Sequence, residues 1–323
     1  MNKINEFSLS AVIACYKDEK AIPIMHQRLT DVFKKIGCKY EIIFVNDGSP
    51  DNSEQVLEEI CAKDQFTTAI IHSRNFNSQN AFTSGMIQST GDAVILLDGD
   101  LQDPPELIEK FVEKWMQGYD VVYGSRVNRD TSRFMNYAYK IFYRLFNKMS
   151  YLEIPLDAGD FSLMDRKVVN EINNTKERDR FIRGLRAWAG FKQIGVPYNR
   201  PERQFGHSTN NFFKNIRWAK KGIFSFSYLP LEFMSFFSYL IVFISGLALL
   251  FYVILYFINQ EAPKGITTLI VLVLFLGGIQ LLSISILSEY IGKILEETKK
   301  RPNFIIKKIL NDKKKWLFFF YKI

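Results

Sequence analysis

Two long apolar segments in the C-terminal third of this chain constrain its fold more than any other feature. Residues Met234–Ile258 and Ile266–Ser288 contain no charged side chain. A helix needs about 20 apolar residues to cross a hydrocarbon core about 30 Å thick, and both segments are long enough. Because lipid offers the backbone no hydrogen bonds, each crossing must be helical. The short link at 259–265 then predicts a two-helix transmembrane hairpin.

The chain has a formal net charge of +8, and much of its positive charge flanks these segments. The flanking cations are Lys214, Arg217, Lys220, Lys221, Lys293, Lys299, Lys300, Arg301, Lys307 and Lys308. The positive-inside rule therefore predicts a multi-pass protein of the inner (cytoplasmic) membrane with both termini in the cytoplasm. Charge at the membrane flanks rather than along the first half argues against a nucleic-acid partner. The alternative, a buried hairpin in a soluble core, is disfavoured by the two lengths and their basic flanks.

These patterns divide the chain into four predicted segments. They are a cytoplasmic α/β domain at 1–205, interfacial amphipathic helices at 206–232, the hairpin at 233–289 and a basic cytoplasmic tail at 290–323. The interfacial segment mixes aromatic and cationic side chains, which suits a helix at headgroup level. The three cysteines form no CxxC pair and the three histidines are scattered. This favours a reducing cytosol and argues against a zinc site.

Short apolar runs alternate with amphipathic stretches in the first half of the chain. The predicted strands are Leu9–Ala14, Glu41–Val45, Thr68–His72, Ala93–Leu97 and Asp120–Tyr123, and the predicted helices are Ile22–Ile36, Ser53–Ala62, Gln79–Ser89 and Pro105–Gln117. This alternation predicts an α/β fold with a Rossmann-like, mostly parallel sheet. Ligands of such sheets bind at the carboxyl ends of the strands.

Polar motifs follow two of the predicted strands. The sequence NDGS at 46–49 ends the second strand, and DGD at 98–100 ends the fourth. Two carboxylates one residue apart repel each other unless a cation lies between them. Oxygen ligands suit Mg²⁺ or Mn²⁺, with substrate phosphates in the remaining coordination positions. We therefore predict a metal site that holds a nucleotide diphosphate, while a solvated acidic loop and an ordinary turn remain alternatives.

These motifs resemble those of the family 2 glycosyltransferases with a GT-A fold, in the branch that uses polyprenyl phosphates. The matching strings are VNDGS at 45–49, RNF at 74–76, DGDLQDPPE at 98–106, GSR at 124–126 and GDFSLMD at 159–165. The branch contains dolichol-phosphate mannose synthases and bactoprenol (undecaprenyl-phosphate) glucosyltransferases. The string at 98–106, combined with the hairpin, is typical of the bactoprenol type. The resemblance covers nearly the whole chain.

The resemblance implies a role for individual residues. Those implied to bind the nucleotide sugar are Asp18, Asp47, Arg74, Asp98 and Arg126. Those implied to hold Mg²⁺ or Mn²⁺ are Asp98, Asp100 and Gln102. The implied catalytic residues are Asp160, as candidate base near the acceptor phosphate, and Asp157. Those implied to bind the acceptor phosphate are Arg200, Arg203 and Ser208.

Some positions depart from the family pattern or have a simpler interpretation. Asn77 replaces a usual glycine, and HSTN at 207–210 replaces the common G-x-S-K-Y continuation, which removes one lysine contact to phosphate. Asp160 also suits a position flanking a strand or capping a helix. Arg200 and Arg203 equally suit contacts with lipid headgroups.

The resemblance implies inverting transfer of a hexose, with glucose as the first candidate, from a UDP-sugar to undecaprenyl phosphate for surface glycan modification. The implied partners are the UDP-sugar, the polyprenyl phosphate, the bilayer and further copies of the chain in a homo-oligomer. A processive polysaccharide synthase stays open because Arg-Trp at 217–218 ends a Q-x-x-R-W motif, although Lys214 replaces its glutamine. An inactive membrane adaptor that keeps the fold also stays open, although the intact aspartates argue against it.

Overall fold

The computed structural model describes residues 7–127, 158–201, 204–205, 229–258 and 265–312. Its strands are β1 (Ser8–Cys15), β2 (Lys39–Asn46), β3 (Thr67–His72), β4 (Ala93–Asp98), β5 (Val121–Arg126), β6 (Ala158–Asp165), β7 (Gln193–Tyr198) and β8 (Ile306–Leu310). Its helices are α1 (Ala21–Ile36), α2 (Ser53–Lys63), α3 (Ser78–Gln88), α4 (Ile108–Met116), α5 (Arg166–Asn174), α6 (Ile182–Trp188), α7 (Leu229–Ile258) and α8 (Ile266–Thr298).

The strands form one sheet in the order β7-β5-β6-β4-β1-β2-β3-β8. Strands β1 to β5 and β7 run in one direction, while β6 and β8 run against their neighbours. Helices follow most of the parallel strands, as right-handed βαβ connections require. This mostly parallel sheet with helices confirms the predicted fold class.

The sheet is buried on both faces, which explains its continuous apolar strands. Along β1, Leu9 and Ile13 belong to one apolar cluster, whereas Val12 and Ala14 belong to the cluster on the other face. Successive side chains of a strand point to opposite faces, so one strand contributes to both cores. The strand therefore needs apolar residues at every position, and it presents polar groups only where it ends.

Most element boundaries lie within one or two residues of those predicted from the sequence. The clearest difference is the helix predicted at Pro105–Gln117, which begins as a short 3₁₀ turn at Pro105–Leu107 and continues as α4. Pro105 occupies the first position of that turn, where a missing N–H costs no hydrogen bond. The two prolines thus start a helix directly after the DGDLQD segment at 98–103, which is the acidic motif of this chain.

The chain returns to the sheet after its apolar segments. Strand β8 pairs antiparallel with β3, and the backbone N–H of Ser73 donates to the carbonyl of Ile305 at 2.9 Å. Phe304 is buried against the ring of His72, with the ring centroids 5.3 Å apart. The segment predicted as a basic tail at 290–323 therefore includes the end of α8 and an edge strand of the sheet. The prediction missed this strand because its pairing partner lies far away in the sequence.

The described residues fall into two compact units, of which the second contains α7 and α8. Two stretches within these helices, Pro230–Ala248 and Leu272–Thr298, are long and apolar enough to cross a membrane, and neither is buried by protein. A core helix of a soluble protein would be covered, so the soluble-hairpin alternative is disfavoured. The predicted interfacial segment lies, apart from residues 229–232, outside the described residues.

Candidate active site

The acidic motif lies at the carboxyl edge of the parallel strands. Asp98 is the last residue of β4 and pairs in register with Ala14 of β1. Leu101 then adopts a left-handed conformation with φ of 61°, and the N–H of Gln102 donates to Oδ1 of Asp100 at 3.1 Å. The chain therefore turns sharply after the strand and keeps both acidic side chains at this edge.

Gly99 allows the ends of β1 and β4 to approach closely. A Cβ atom added there would lie 2.8 Å from Sγ of Cys15, 3.0 Å from the carbonyl oxygen of Ala14 and 3.0 Å from Oδ2 of Asp18. That Oδ2 atom also accepts the N–H of Tyr16 at 2.9 Å. The fold thus brings Asp18, predicted from the sequence to bind the nucleotide, against the backbone of the acidic motif.

Burial and neighbouring carboxylates raise the pKa of Asp98 at this edge. Asp98 has a pKa well above its usual value, first because of burial and then because of neighbouring carboxylates, Asp103 foremost. Asp100 and Asp103 are themselves buried. Concentrated negative charge of this kind is costly without a cation, and it is characteristic of functional sites.

The guanidinium of Arg200 lies against this cluster. Its Nη2 atom is 3.8 Å from Oδ2 of Asp98 and 3.8 Å from Oδ2 of Asp100, and its Nε atom is 3.9 Å from Oδ1 of Asp103. The sequence predicted that Arg200 binds the acceptor phosphate. In the structure its guanidinium supplies positive charge to the acidic motif, and contact with the acceptor phosphate stays a prediction.

Asp103 and Tyr198 belong to the same site, although the sequence interpretation did not assign them a role. The Tyr198 hydroxyl donates to Oδ1 of Asp103 at 2.8 Å, and Nε of Arg126 lies 3.4 Å from the Tyr198 oxygen. Burial raises the pKa of Asp103, while the charges of Arg200 and Arg126 oppose that rise. Asp103 is the third acid of the motif at 98–103, and that repetition was the available signal.

The donor set fits a divalent cation that shares its coordination with phosphates. Among the residues that the structure describes, no group of three or more His, Cys, Asp or Glu side chains is assembled as a metal site. Mg²⁺ typically takes one or two carboxylates and completes its shell with water and substrate phosphates. Asp98 and Asp100, facing one guanidinium at equal distances, provide such a pair. The side-chain amide nitrogen of Gln102 donates to the carbonyl of Pro201 at 3.2 Å.

Asp160 reaches the same edge from the antiparallel strand β6. The register pairs Leu96 with Ser162, so its continuation brings Asp160 level with Asp98. Oδ2 of Asp160 accepts the side-chain amide of Gln79 at 3.0 Å, and Oδ1 accepts Nε of Arg183 at 3.2 Å. The carboxylate is therefore held on both oxygens beside the acidic motif.

A second arginine on α6, Arg186, approaches the residue before Asp160, since its Nη2 atom lies 3.5 Å from the carbonyl oxygen of Gly159. Arg186 is completely buried, and its guanidinium is 5.2 Å from the ring centroid of Tyr123. Burial lowers its pKa to about 10, and the charge of Asp160 opposes that change. Arg186 is therefore a cation at neutral pH. Its Nε and Nη1 atoms have no hydrogen-bond partner among the described residues.

Asp47 has an internal role that turn chemistry alone did not predict. Its Oδ1 atom accepts the backbone N–H of Phe76 at 2.8 Å and contacts Nδ1 of His72 at 2.8 Å. Gly48 beside it has φ of 62°, and a Cβ there would lie 2.4 Å from the backbone of Arg74. Asp47 and Gly48 thus fix the loop between β3 and α3, and direct contact of Asp47 with a nucleotide stays a prediction.

A cavity of about 370 Å³ lies where the loops after β1 and β2 meet. It is lined by residues 17–20, Pro50, Asp51 and Phe205. The guanidinium of Arg74 stacks 4.1 Å from the ring centroid of Phe76, and its contact with the nucleotide sugar stays a prediction. Within the part of the chain that the structure describes, Asp18 is the one predicted nucleotide-binding residue that lines this cavity.

Three predicted site residues lie outside the described residues. They are Asp157, Arg203 and Ser208. The structure brings together Asp18, Asp98, Asp100, Asp160 and Arg200 at one edge of the sheet. Gln79, Arg183 and Arg186 complete this edge but were not assigned a role, because they lack a local motif.

Comparison with known proteins gives consistent matches. The family model described as glycosyl transferase family 2 matches residues 10–172. An uncharacterized glycosyltransferase of Bacillus subtilis (strain 168) is 41% identical over 93% of this chain and 93% of its own length. A prophage bactoprenol glucosyl transferase homolog of Escherichia coli (strain K12) is 37% identical over 93% of this chain and 99% of its own length. Among solved structures, mannosyl-3-phosphoglycerate synthase from Rubrobacter xylanophilus aligns with a TM-score of 0.46 at 14% identity, over 67% of this chain and 72% of that one.

Proposed function

Because the chain belongs to glycosyl transferase family 2, we propose that it transfers a hexose from a UDP-sugar to undecaprenyl phosphate. Glucose is the first candidate, since relatives 37% identical over most of the chain are named bactoprenol glucosyl transferases. The product is a polyprenyl-phosphate sugar that serves surface glycan modification. The enzyme is proposed to act as a homo-oligomer.

One observation supports this proposal above the others, namely that three carboxylates from two different strands meet at the carboxyl edge of the sheet. Asp98 and Asp100 end a parallel strand, while Asp160 arrives from an antiparallel one. The first pair suits a metal-bound diphosphate, and Asp160 suits a reacting group beside it. Ligands of such sheets bind at this edge.

Asp98 and Asp100, with Gln102, are the residues that would hold Mg²⁺ or Mn²⁺. The bound ion supplies positive charge where negative charge develops on the departing UDP. Asp18 would contact the nucleotide, since it lines the adjacent cavity. Asp47, Arg74 and Arg126 are proposed to complete the nucleotide-sugar site.

The chemical step is a single displacement. An oxygen of the acceptor phosphate forms a bond to the anomeric carbon, the bond from that carbon to UDP breaks, and the configuration inverts. A phosphate monoester has a second pKa of about 6, so it is mostly deprotonated at neutral pH and needs little help from a base. We therefore propose that Asp160 orients the acceptor or stabilises positive charge on the sugar ring.

Arginines recognise phosphate through paired N–H donors. Arg200, Arg203 and Ser208 are proposed to contact the acceptor phosphate, and Asp157 to assist Asp160. In the described structure Arg200 contacts the acidic motif, which makes it available to phosphates bound there. At that position, Arg200 is suited to contact phosphate oxygens of both the donor and the acceptor.

Membrane attachment is proposed to hold the site at headgroup level. Two crossings bring the chain back to the side from which it left, and β8 after the second apolar helix belongs to the same sheet as the acidic motif. This connectivity supports an even number of crossings. By the positive-inside rule, the basic flanks support the proposal that this side, with both termini, is cytoplasmic.

A transfer assay in detergent tests the proposed function. Purified protein is incubated with undecaprenyl phosphate, a panel of UDP- and GDP-sugars, and Mg²⁺ or Mn²⁺ with and without EDTA. We expect a lipid carrying one sugar from one UDP-donor, and no product in EDTA. A polymer would favour a processive synthase, and no lipid product from any donor would favour an inactive adaptor.

A further inference from the structure

Gln79 lies at the centre of the hydrogen bonds that hold Asp160. It is buried on the first turn of α3, with 3% of its surface exposed. Its Nε2 atom donates to Oδ2 of Asp160 at 3.0 Å. Its Oε1 atom accepts the backbone N–H of Ile182 at 2.8 Å. One amide side chain therefore joins the carboxylate on β6 to the first residue of α6.

The contacts around Gln79 form a closed ring. Arg183 directly follows Ile182 and donates its Nε–H to the other carboxylate oxygen of Asp160, Oδ1, at 3.2 Å. The two hydrogen-bond donors of Asp160 are therefore linked to each other through the first turn of α6. The backbone of Gln79 is itself anchored, because its carbonyl accepts the Thr83 hydroxyl at 2.7 Å.

We infer that Gln79 is a positioning residue that fixes the Asp160 carboxylate for sugar transfer. This inference rests on the proposed function, in which Asp160 faces the reacting groups. An amide is required because this position must donate on one side and accept on the other. A carboxylate held on both oxygens keeps one orientation, and misplacement by about 1 Å costs about 10²-fold in rate.

The substitution Gln79→Glu separates these two functions. It keeps the oxygen that accepts the Ile182 N–H but replaces the donor to Asp160 with a second oxygen. We expect kcat to fall by about 10²-fold, with KM for the UDP-sugar changing much less than kcat. A variant with lowered affinity and unchanged kcat would overturn the inference.

The pH dependence of Gln79→Glu gives a second readout. Burial and the charge of Asp160 raise the pKa of the introduced carboxyl, and its protonated form donates a hydrogen bond as the amide did. The other charged groups recorded around Asp160 are Arg183, Arg186 and Asp98, which are common to both proteins. The ratio of variant to wild-type kcat is therefore expected to rise as pH falls. A ratio that does not change with pH would contradict this reasoning.

Gln88 provides a matched control on the same helix. It is buried, and its Nε2 atom donates to Oδ1 of Asp312 at 2.9 Å, so Gln88→Glu makes the same chemical exchange away from Asp160. We expect wild-type kcat and an unchanged pH profile for this variant. An equal loss of kcat in both variants would mean that the effect comes from lowered protein stability, and it would overturn the inference.

A second variant and the wild type keep the outcomes distinct. Gln79→Met keeps the side-chain length but has no hydrogen-bonding amide. Its kcat is therefore expected to fall, with no recovery at low pH. Thermal unfolding of each variant shows whether it is folded. An unchanged kcat in Gln79→Met overturns the inference even if Gln79→Glu does not fold. An inactive wild type overturns the proposed function itself, whereas an active wild type with unaffected Gln79 variants overturns the positioning role alone.

Discussion

In the proposed site, Arg200 and a divalent cation compete for the same carboxylates, so Arg200→Gln should tighten metal binding in the absence of donor. Its Nη2 atom lies 3.8 Å from an oxygen of Asp98 and 3.8 Å from an oxygen of Asp100. At an effective dielectric constant of about 20, each pair attracts by about 4 kcal/mol. Most of this attraction is offset by lost solvation and side-chain freedom, because the Arg200 side chain is 24% exposed.

A net contribution of about 1 kcal/mol for each pair is typical of such sites. Without these two ion pairs to break, metal binding therefore becomes more favourable by about 1–2 kcal/mol. Since about 1.4 kcal/mol corresponds to a factor of ten, the dissociation constant for Mn²⁺ should fall about 5- to 30-fold. The measurement is an electron paramagnetic resonance titration of free Mn²⁺ against the purified protein without nucleotide.

Arg28→Gln is the control for a nonspecific change of charge. Arg28 makes a two-bond ion pair with Glu106, at 2.8 and 2.6 Å, outside the acidic motif. This variant should bind Mn²⁺ as the wild type does. Unchanged or weaker binding in Arg200→Gln would refute the competition, and equal tightening in both variants would reduce it to an effect of net charge.

Three further predictions follow from the site and the sheet. Asp160→Asn should lower kcat about 10²-fold with no recovery in more basic buffer, and recovery at high pH would restore the general-base interpretation. Gly99→Ala should weaken UDP binding in calorimetry, because its methyl group would lie within 3.0 Å of three atoms, and unchanged affinity would contradict the close approach. Phe304→Ala should lower the free energy of unfolding, measured in urea, by about 3–5 kcal/mol, because Phe304 is buried. The control Ile305→Ala, at the exposed neighbouring residue, should lower it by only about 0.5 kcal/mol. Equal losses would contradict the packing of Phe304.

Local sequence patterns predicted the strands and the acidic motif well. Strands buried on both faces are continuous apolar runs, and polar residues are confined to their ends. Asp98 and Asp100 therefore identified the carboxyl edge of the sheet from the amino-acid sequence alone. The two prolines after the motif likewise identified the start of a helix.

Long-range pairing was beyond those patterns. β8 is short and basic, and its partner β3 is more than two hundred residues earlier, so no local signal connects them. Gln79 and Arg183 meet at Asp160 from separate helices, and each has an ordinary sequence context. Arg200 was predicted from its chemistry, but only the fold directs it toward the acidic motif.

The central claim is that one hexose passes from a UDP-sugar to a polyprenyl phosphate at the edge containing Asp98 and Asp100. The most direct measurement is the mass of the lipid product formed from UDP-glucose and undecaprenyl phosphate, by wild type and by Asp100→Asn. The account predicts a lipid with a single hexose on a single phosphate, formed by the wild type and lost in the variant. A lipid with several sugars, a sugar joined through a diphosphate, or equal product from Asp100→Asn would contradict it.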